Sequence, residues 1–388
     1  MTRLKGLLKN NLREYSMGLA LVFIIILFQI LTDGVLLKPL NVTNLILQNS
    51  YVLILAMGMV LCILSGGNID LSVGSIVAFI GAVSATLIVN ERVPVFPAIL
   101  IALSIGLVIG AWQAFWIAIV RIPAFIVTLA GMLMFRGLTL VILNGRTIGP
   151  FPESYQALSS GFLPDITESG DLHILTVIVG IVASIAFIIY EIFKNAQKKK
   201  YGYVIPSKLS IAVKLFLGIA AINAISFIIA SYKGISVIMI ILIVLFIVYT
   251  VITRKTVFGR HIYAMGGNEK AAILSGINTN KVLFIIYVNM ALLSALAGIV
   301  ISGRLNAATP KAGVGFELDA IAACFIGGAS TAGGIGTVYG AIVGALIMGV
   351  LNNGMSILGV SVDWQQAIKG MVLLLAVAFD VLSKRKVK

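Results

Sequence analysis

The stretch RKTVFGRHIYAMGGNEKAAILSGINTNK (254–281) decides how this chain is read. It lies between ISVIMIILIVLFIVYTVI (235–252) and a second apolar run at 282–302, and both runs read as membrane-spanning. A protein that only had to sit in a bilayer could join two such runs with a few residues. Here a basic loop of 28 residues, punctuated by alanine and glycine and capable of a short helix, stands between them. The segment reads as a docking surface for something outside the membrane.

Working outward, hydrophobic residues make up 60% of the 388, charged residues only 11%, and the mean hydropathy is +1.10. A soluble domain carries charge on roughly a quarter of its residues, so that class is excluded. A helical crossing takes about 20 apolar residues, and open strands cannot cross lipid because unpaired backbone groups there cost several kcal/mol each. A barrel would show alternating segments of about ten residues, whereas these runs are continuous. The expected fold is an all-α polytopic membrane protein, a single transmembrane domain over 1–388. It should have about 12 transmembrane helices, near 17–34, 44–64, 71–89, 96–119, 122–142, 172–193, 209–230, 235–252, 282–302, 317–329, 336–354 and 362–382. The first run follows a basic start, but no small-residue cleavage site follows it, so it reads as a retained span.

Charge placement orients the chain. Arg3, Lys5, Lys9, Arg13, Arg121, Lys194, Lys198, Lys199, Lys200 and Lys208 fall on one face. So do Arg254, Lys255, Arg260, Lys270, Lys281, Lys384, Arg385, Lys386 and Lys388. The opposite face holds Lys38, Arg92, Arg146, Lys233, Arg304 and Lys311. Nineteen against six puts both termini in the cytoplasm. The formal charge of +14 therefore reflects loop placement and not a nucleic-acid partner. Residues 143–171 form an external, turn-rich loop with Glu153, Asp165, Glu168 and Asp171, suited to a cap or to a soluble partner's landing site. Residues 194–208 form a basic cytoplasmic loop, and 254–281 a second cytoplasmic loop.

Enzyme signatures are missing. His173 and His261 lie on opposite faces, Cys62 and Cys324 sit inside apolar runs as small core residues, and no HExxH or GxSxG occurs. The glycine-rich GGASTAGGIG has no lysine to reach a phosphate, so ATP hydrolysis would have to come from another subunit. Two glycine-rich breaks, SGGNIDLSVGS (65–75) and FIGGASTAGGIGT (325–337), look like one device used twice. Paired helix breaks in a transporter mark the translocation pathway, although small residues also simply pack membrane helices. Within the first break Asn68, Asp70 and Ser72 are pathway candidates, with Asp70 either capping the next helix or gating. Glu317 and Asp319 open the tenth segment, where negative charge suits a helix N-terminus. Arg136 lies inside span five and either faces water or snorkels. Asn352 and Asn353, with Asn223, Asn289, Gln113 and Trp112, complete the intramembrane polar and aromatic set. Amides and hydroxyls with few charges suit a neutral polyol better than an ion, and interhelical hydrogen bonding is the other use of such groups.

In order along the chain, SGGNIDLSVGS, PAFIVTLAGMLMFRG, GRHIYAMGGNEKAAILSGIN, GFELDAIAACFIGGASTAGGIGTVYGA and LSKRK resemble the permease subunits of monosaccharide ABC importers of the ribose, xylose and galactose group. The resemblance covers nearly everything outside roughly 143–235, and the added length looks like the xylose or multiple-monosaccharide permeases. It implies a homodimer in a bacterial cytoplasmic membrane, with cytoplasmic ATP-binding subunits and an extracytoplasmic sugar-binding protein as partners. ATP and magnesium would be held by the partner subunit and no cofactor by this chain. It also implies that Gly266, Gly267, Asn268, Glu269, Ala271, Ala272 and Gly276 form the coupling segment, with Glu269 available to pair with a basic residue of the ATPase. The alternatives are an ABC permease for another small solute, or an ion-coupled secondary carrier acting alone. Asp70, Glu317, Asp319, Asp363 and Asp380 all lie near segment ends, which weakens the carrier.

Overall fold

The computed structural model describes residues 2–166, 172–202 and 207–385. Glu168, Asp171, Lys386 and Lys388 fall outside it, as do the side chains of Arg3, Lys5, Lys9, Arg13, Lys208, Asp380, Lys384 and Arg385. Fifteen α-helices follow one another among the described residues: α1 Thr2–Leu31, α2 Pro39–Leu64, α3 Val73–Ala85, α4 Val95–Ala114, α5 Ala124–Leu143, α6 Glu153–Ser160, α7 Ile174–Lys200 and α8 Lys208–Ala230. They continue as α9 Val237–Lys255, α10 Val257–Gly267, α11 Glu269–Leu274, α12 Thr279–Leu305, α13 Phe316–Ile326, α14 Val338–Ile357 and α15 Val362–Arg385. Each of the twelve apolar segments read from the sequence coincides with one of these helices. Turn chemistry sets several ends. Pro39 opens α2 where a missing N–H costs nothing, while Asn144 and Asn306 close α5 and α12 in left-handed conformation.

The chain divides into a larger unit of Met1–Leu36, Leu45–Ser160 and Ile238–Lys388 and a smaller one of Leu37–Asn44 and Gly161–Val237. In the larger unit α2 is apolar all round, and Val52 to Leu64 are almost wholly buried, as expected for a central helix. Helix α12 packs on α3 and α4 through glycine. A β-carbon at Gly298 would lie 2.7 Å from Val77 O, and one at Gly110 would lie 2.7 Å from Val288 Cα. Close backbone approach of this kind replaces the hydrophobic drive that is absent between helices in lipid. At one end of this unit stand α10 and α11. At the far end α6 caps α12: Tyr155 OH and Ser302 Oγ lie 2.8 Å apart, and Ile148 bridges Ala308.

Nine described helices are long and apolar enough to cross a bilayer, and Met17–Leu31 is a shorter apolar stretch within α1. Helix α13 departs from the expected full span. Its 11 residues reach only ~16 Å at 1.5 Å per residue, about half of a ~30 Å hydrocarbon core. The loop after α12 turns back inward to meet its start. Arg136, well inside α5, donates to Ala312 O at 2.6 Å, and the first turn of α3 touches the same loop, since a β-carbon on Gly74 would lie 2.1 Å from Gly313 O. The chain ends α13 beside the second glycine break, against which α10 packs.

The smaller unit contains an antiparallel α7–α8 pair held by polar groups between apolar faces. Asn223 Nδ2 donates to Ser184 Oγ at 2.8 Å, and the buried Glu191 pairs with Lys214. Asp165 accepts from the backbone N–H groups of Ile174 and Leu175, both at 3.0 Å, and so satisfies the open start of α7.

Candidate coupling and translocation site

The segment expected to couple, 254–281, is two short helices, not one, because three polar residues each restart the chain. Thr256 accepts from Gly259 N at 3.1 Å and caps α10; Asn268, in extended backbone, accepts from Ala271 N at 3.0 Å and caps α11; Asn278 accepts from Lys281 N at 2.9 Å and caps α12. Gly276 has φ +82°, the left-handed turn that ends α11. Ala272 and Ile262 are buried against the bundle, whereas Glu269, Ala271 and Leu274 face outward.

This helix pair seats on both glycine breaks at once. A β-carbon at Gly266 would fall 1.7 Å from Leu64 O and 2.6 Å from Gly334 N, so backbone lies directly on backbone. Gly334 N donates to Leu64 O at 3.0 Å, joining the two breaks, and Gly333 packs on the backbone of Gly66. Tyr263 O–H donates to Gly336 O at 2.8 Å. Burial pushes that phenol above its ordinary value, which keeps it a donor at neutral pH. Glu269 binds within the chain: Arg121 Nη1 donates to its Oε1 at 2.7 Å, and Arg121 Nη2 donates to Thr279 Oγ1 and Asn280 Oδ1. With side chains 40% and 45% exposed, the pair is a surface latch, worth roughly 0.2–1 kcal/mol.

Above this seat the first break climbs into the bundle. Asn68 Nδ2 donates to Ser65 Oγ at 3.2 Å. Asp70 is fully buried, and its Oδ1 accepts from Ser72 N at 2.9 Å and Ser72 Oγ at 2.6 Å. Gln113 Nε2 donates to Ser72 Oγ at 2.7 Å. The helix cap proper is Ser72, so Asp70 fixes the turn before α3 and does not cap it. The Arg136 guanidinium donates to the carbonyls of Pro310 and Ala312 in the loop before α13. Asp319 is buried beside a cavity near the start of α13, where Tyr51 O–H donates to it at 2.9 Å and Lys369 Nζ at 3.1 Å. Asn352 and Asn353 stand on the last turns of α14, apart from that cavity. The structure thus gathers Asn68, Asp70 and Ser72 in one place, sets Arg136 within electrostatic reach of Glu317 beside the Asp319 cavity, and leaves the Asn352–Asn353 pair elsewhere.

Sequence reading missed Arg121, counted only as a face charge, and Tyr51 and Lys369. Lys369 lies inside an apolar span, the same signal that singled out Arg136.

A helical bundle with paired glycine breaks seated under a short helix pair outside the spans is a polytopic membrane protein, and its relatives place it among permeases, transport components rather than enzymes. Residues 41–377 match the family described as the permease component of branched-chain amino acid transport systems, and the chain belongs to that family. It is 40% identical over 376 residues to the xylose transport system permease protein XylH of Haemophilus influenzae, covering 97% of this chain and 98% of the relative. Identity to the XylH of Escherichia coli is 39%, over 98% of this chain and 95% of the relative. The ribose import permease protein RbsC of Escherichia coli is 39% identical, over 88% of this chain and 85% of the relative. No solved structure matches the chain.

Proposed function

We propose that this chain is the membrane permease of an ABC importer that carries a monosaccharide, xylose-like in preference, across a bacterial cytoplasmic membrane. Two copies form the pathway, two cytoplasmic ATP-binding subunits bind and hydrolyse ATP with magnesium, and an extracytoplasmic sugar-binding protein delivers the solute. Both termini face the cytoplasm, in line with the charge bias across the faces. The observation that carries the reading is the α10–α11 pair, whose Gly266 backbone rests on both glycine breaks. Outward Glu269, Ala271 and Leu274 offer a surface to an ATPase, and force on that surface reaches the breaks without passing through flexible side chains. The smaller acidic loop around α6 serves as the landing site for the binding protein.

The xylose preference rests on relatives bearing that name and matching nearly the full chain, where the ribose relative matches less of it. The family description favours a second reading, a branched-chain amino acid as solute. Reconstitution in liposomes with a sugar ATPase and its binding protein, followed by uptake of labelled xylose, ribose, glucose and leucine, tests both. ATP-dependent sugar uptake that needs all three components supports the proposal. Leucine uptake alone, or sugar uptake by this chain alone that an ionophore collapses, defeats it.

A further inference from the structure

Near the start of α13 lies a cavity of about 360 Å³, with Tyr51, Phe316, Glu317, Asp319, Gln366 and Lys369 in its lining. Its polar groups stand well inside the bundle: Tyr51 is twelve residues into the 26-residue α2, and Asp319 sits in the first turn of a helix that begins inside. Charged and amide groups at such a depth are tolerated facing water or protein, not lipid. Two are already matched to each other. Lys369 Nζ lies 3.1 Å and 3.2 Å from the two oxygens of Asp319.

What remains unmatched is hydrogen-bonding capacity. Glu317 Oε2 is buried with no partner among the described residues. Lys369 keeps further N–H groups after binding Asp319, and Gln366 carries an amide on the cavity's exposed side. The wall beside them is flat and aromatic: Tyr51 stacks on Phe316 with ring centroids 3.6 Å apart and planes 19° from parallel. The volume is near the lower end of ligand cavities, roughly 300–1,000 Å³, room for one sugar ring.

We infer that this cavity is a binding subsite for a single neutral monosaccharide within the permease, a step on its path through the membrane. The subsite rests on the sugar-importer reading above. Hydroxyls, each both donor and acceptor, fit the mixed set of donors and acceptors. The aromatic pair covers the apolar edge of the ring. A zwitterionic amino acid is disfavoured, because Lys369, the cation its carboxylate would need, is bound to Asp319.

Thiol protection tests the subsite on the full chain in nanodiscs. Cys62 and Cys324 are both fully buried, so a cysteine placed by Gln366→Cys is the accessible thiol in the cavity. D-Xylose should slow its reaction with a small maleimide saturably, and leucine should not. Tyr51→Phe keeps the ring stack and the Asp319–Lys369 pair but removes one hydroxyl. It should raise the half-protecting xylose concentration by about tenfold, the upper end for one neutral hydrogen bond. Absence of protection, protection by leucine, or equal protection in the Tyr51→Phe background overturns the subsite. Uptake by the three-component importer is measured beside it. Normal sugar uptake without protection sinks the subsite alone, whereas leucine uptake with no sugar uptake sinks the importer reading on which it rests.

Discussion

Adding one methyl group at Gly266 should uncouple the importer, while adding it at Gly267 should not. A β-carbon at Gly266 would sit 1.7 Å from Leu64 O, and ordinary contact begins near 3.4 Å, so α10 must lift by about 1.7 Å. Both neighbours are backbone and cannot swing aside. Overpacking of that kind costs about 1–3 kcal/mol. The displacement also pulls on the 3.0 Å bond from Gly334 N to Leu64 O, worth about 0.5–1.5 kcal/mol. Together they put roughly 2–4 kcal/mol against the seated state, more than a tenfold loss of its population at about 1.4 kcal/mol per decade. Gly267 has nothing within 4 Å of its β-position and no positive φ. The two variants are compared in the reconstituted importer by sugar uptake and ATP hydrolysis per complex. Gly266→Ala should lower uptake per ATP hydrolysed more than tenfold, by the same arithmetic, and Gly267→Ala should leave it unchanged. Equal behaviour of the two would refute direct backbone seating as the route of coupling.

Other outcomes follow from the same coordinates. Glu269→Lys should lower uptake by setting like charges against Arg121, and Arg121→Glu in the same chain should restore it in part; failure of rescue would place the essential partner of Glu269 on another subunit. Gly74→Ala drives a β-carbon to within 2.1 Å of Gly313 O, and should lower the melting midpoint of the purified chain by an overpacking cost of about 1–3 kcal/mol. In the α7–α8 pair, Lys214→Met leaves the Glu191 carboxylate, 6% exposed, without its nearest cation. It should destabilise that pair in differential scanning fluorimetry by roughly 1–3 kcal/mol, the cost of an unsatisfied buried polar group, while uptake per folded molecule is retained. Asp165 is held below its ordinary pKa, first by the N–H of Leu175 and then by those of Ile166 and Ile174. A lowered folded-state value means its stabilisation is full above the unfolded aspartate pKa, about 3.9, and is lost as pH falls through the depressed value. Hydrogen exchange at the start of α7 should therefore rise in strong acid in the native chain, and Asp165→Asn should raise it already at neutral pH.

How much of this was legible beforehand depends on the range of the interaction. Apolar runs such as 44–64 and 235–252 leave few alternatives in a chain so poor in charge, and each became a helix. The coupling loop announced itself by composition, but Asn268, which splits it in two, looks in sequence like any polar loop residue. Helix α13 was read as a span because ELDAIAACFIGGA is apolar enough. Its short length becomes decisive only once Arg136 is seen holding the re-entrant carbonyls. The meeting of Gly66 with Gly333 joins residues far apart in sequence, and the glycines alone do not say which backbone each must admit. Tyr51, Asp319 and Lys369 come from three helices, and no spacing in the chain links them.

The central claim is that α10 and the two glycine breaks move as one body during transport. A double-cysteine chain, Tyr263→Cys with Gly336→Cys, places one thiol on each of the two elements that the Tyr263 O–H to Gly336 O bond of 2.8 Å now joins. A cysteine is shorter than the tyrosine it replaces, so the link is made with a short bis-methanethiosulfonate reagent, and ATP-driven sugar uptake is measured before and after cross-linking in the reconstituted importer, with reduction as the reversal. If the elements travel together, the cross-linked protein transports at the rate of its reduced form. Uptake abolished by the cross-link and recovered on reduction would mean that the coupling helix slides across the breaks, contradicting the account.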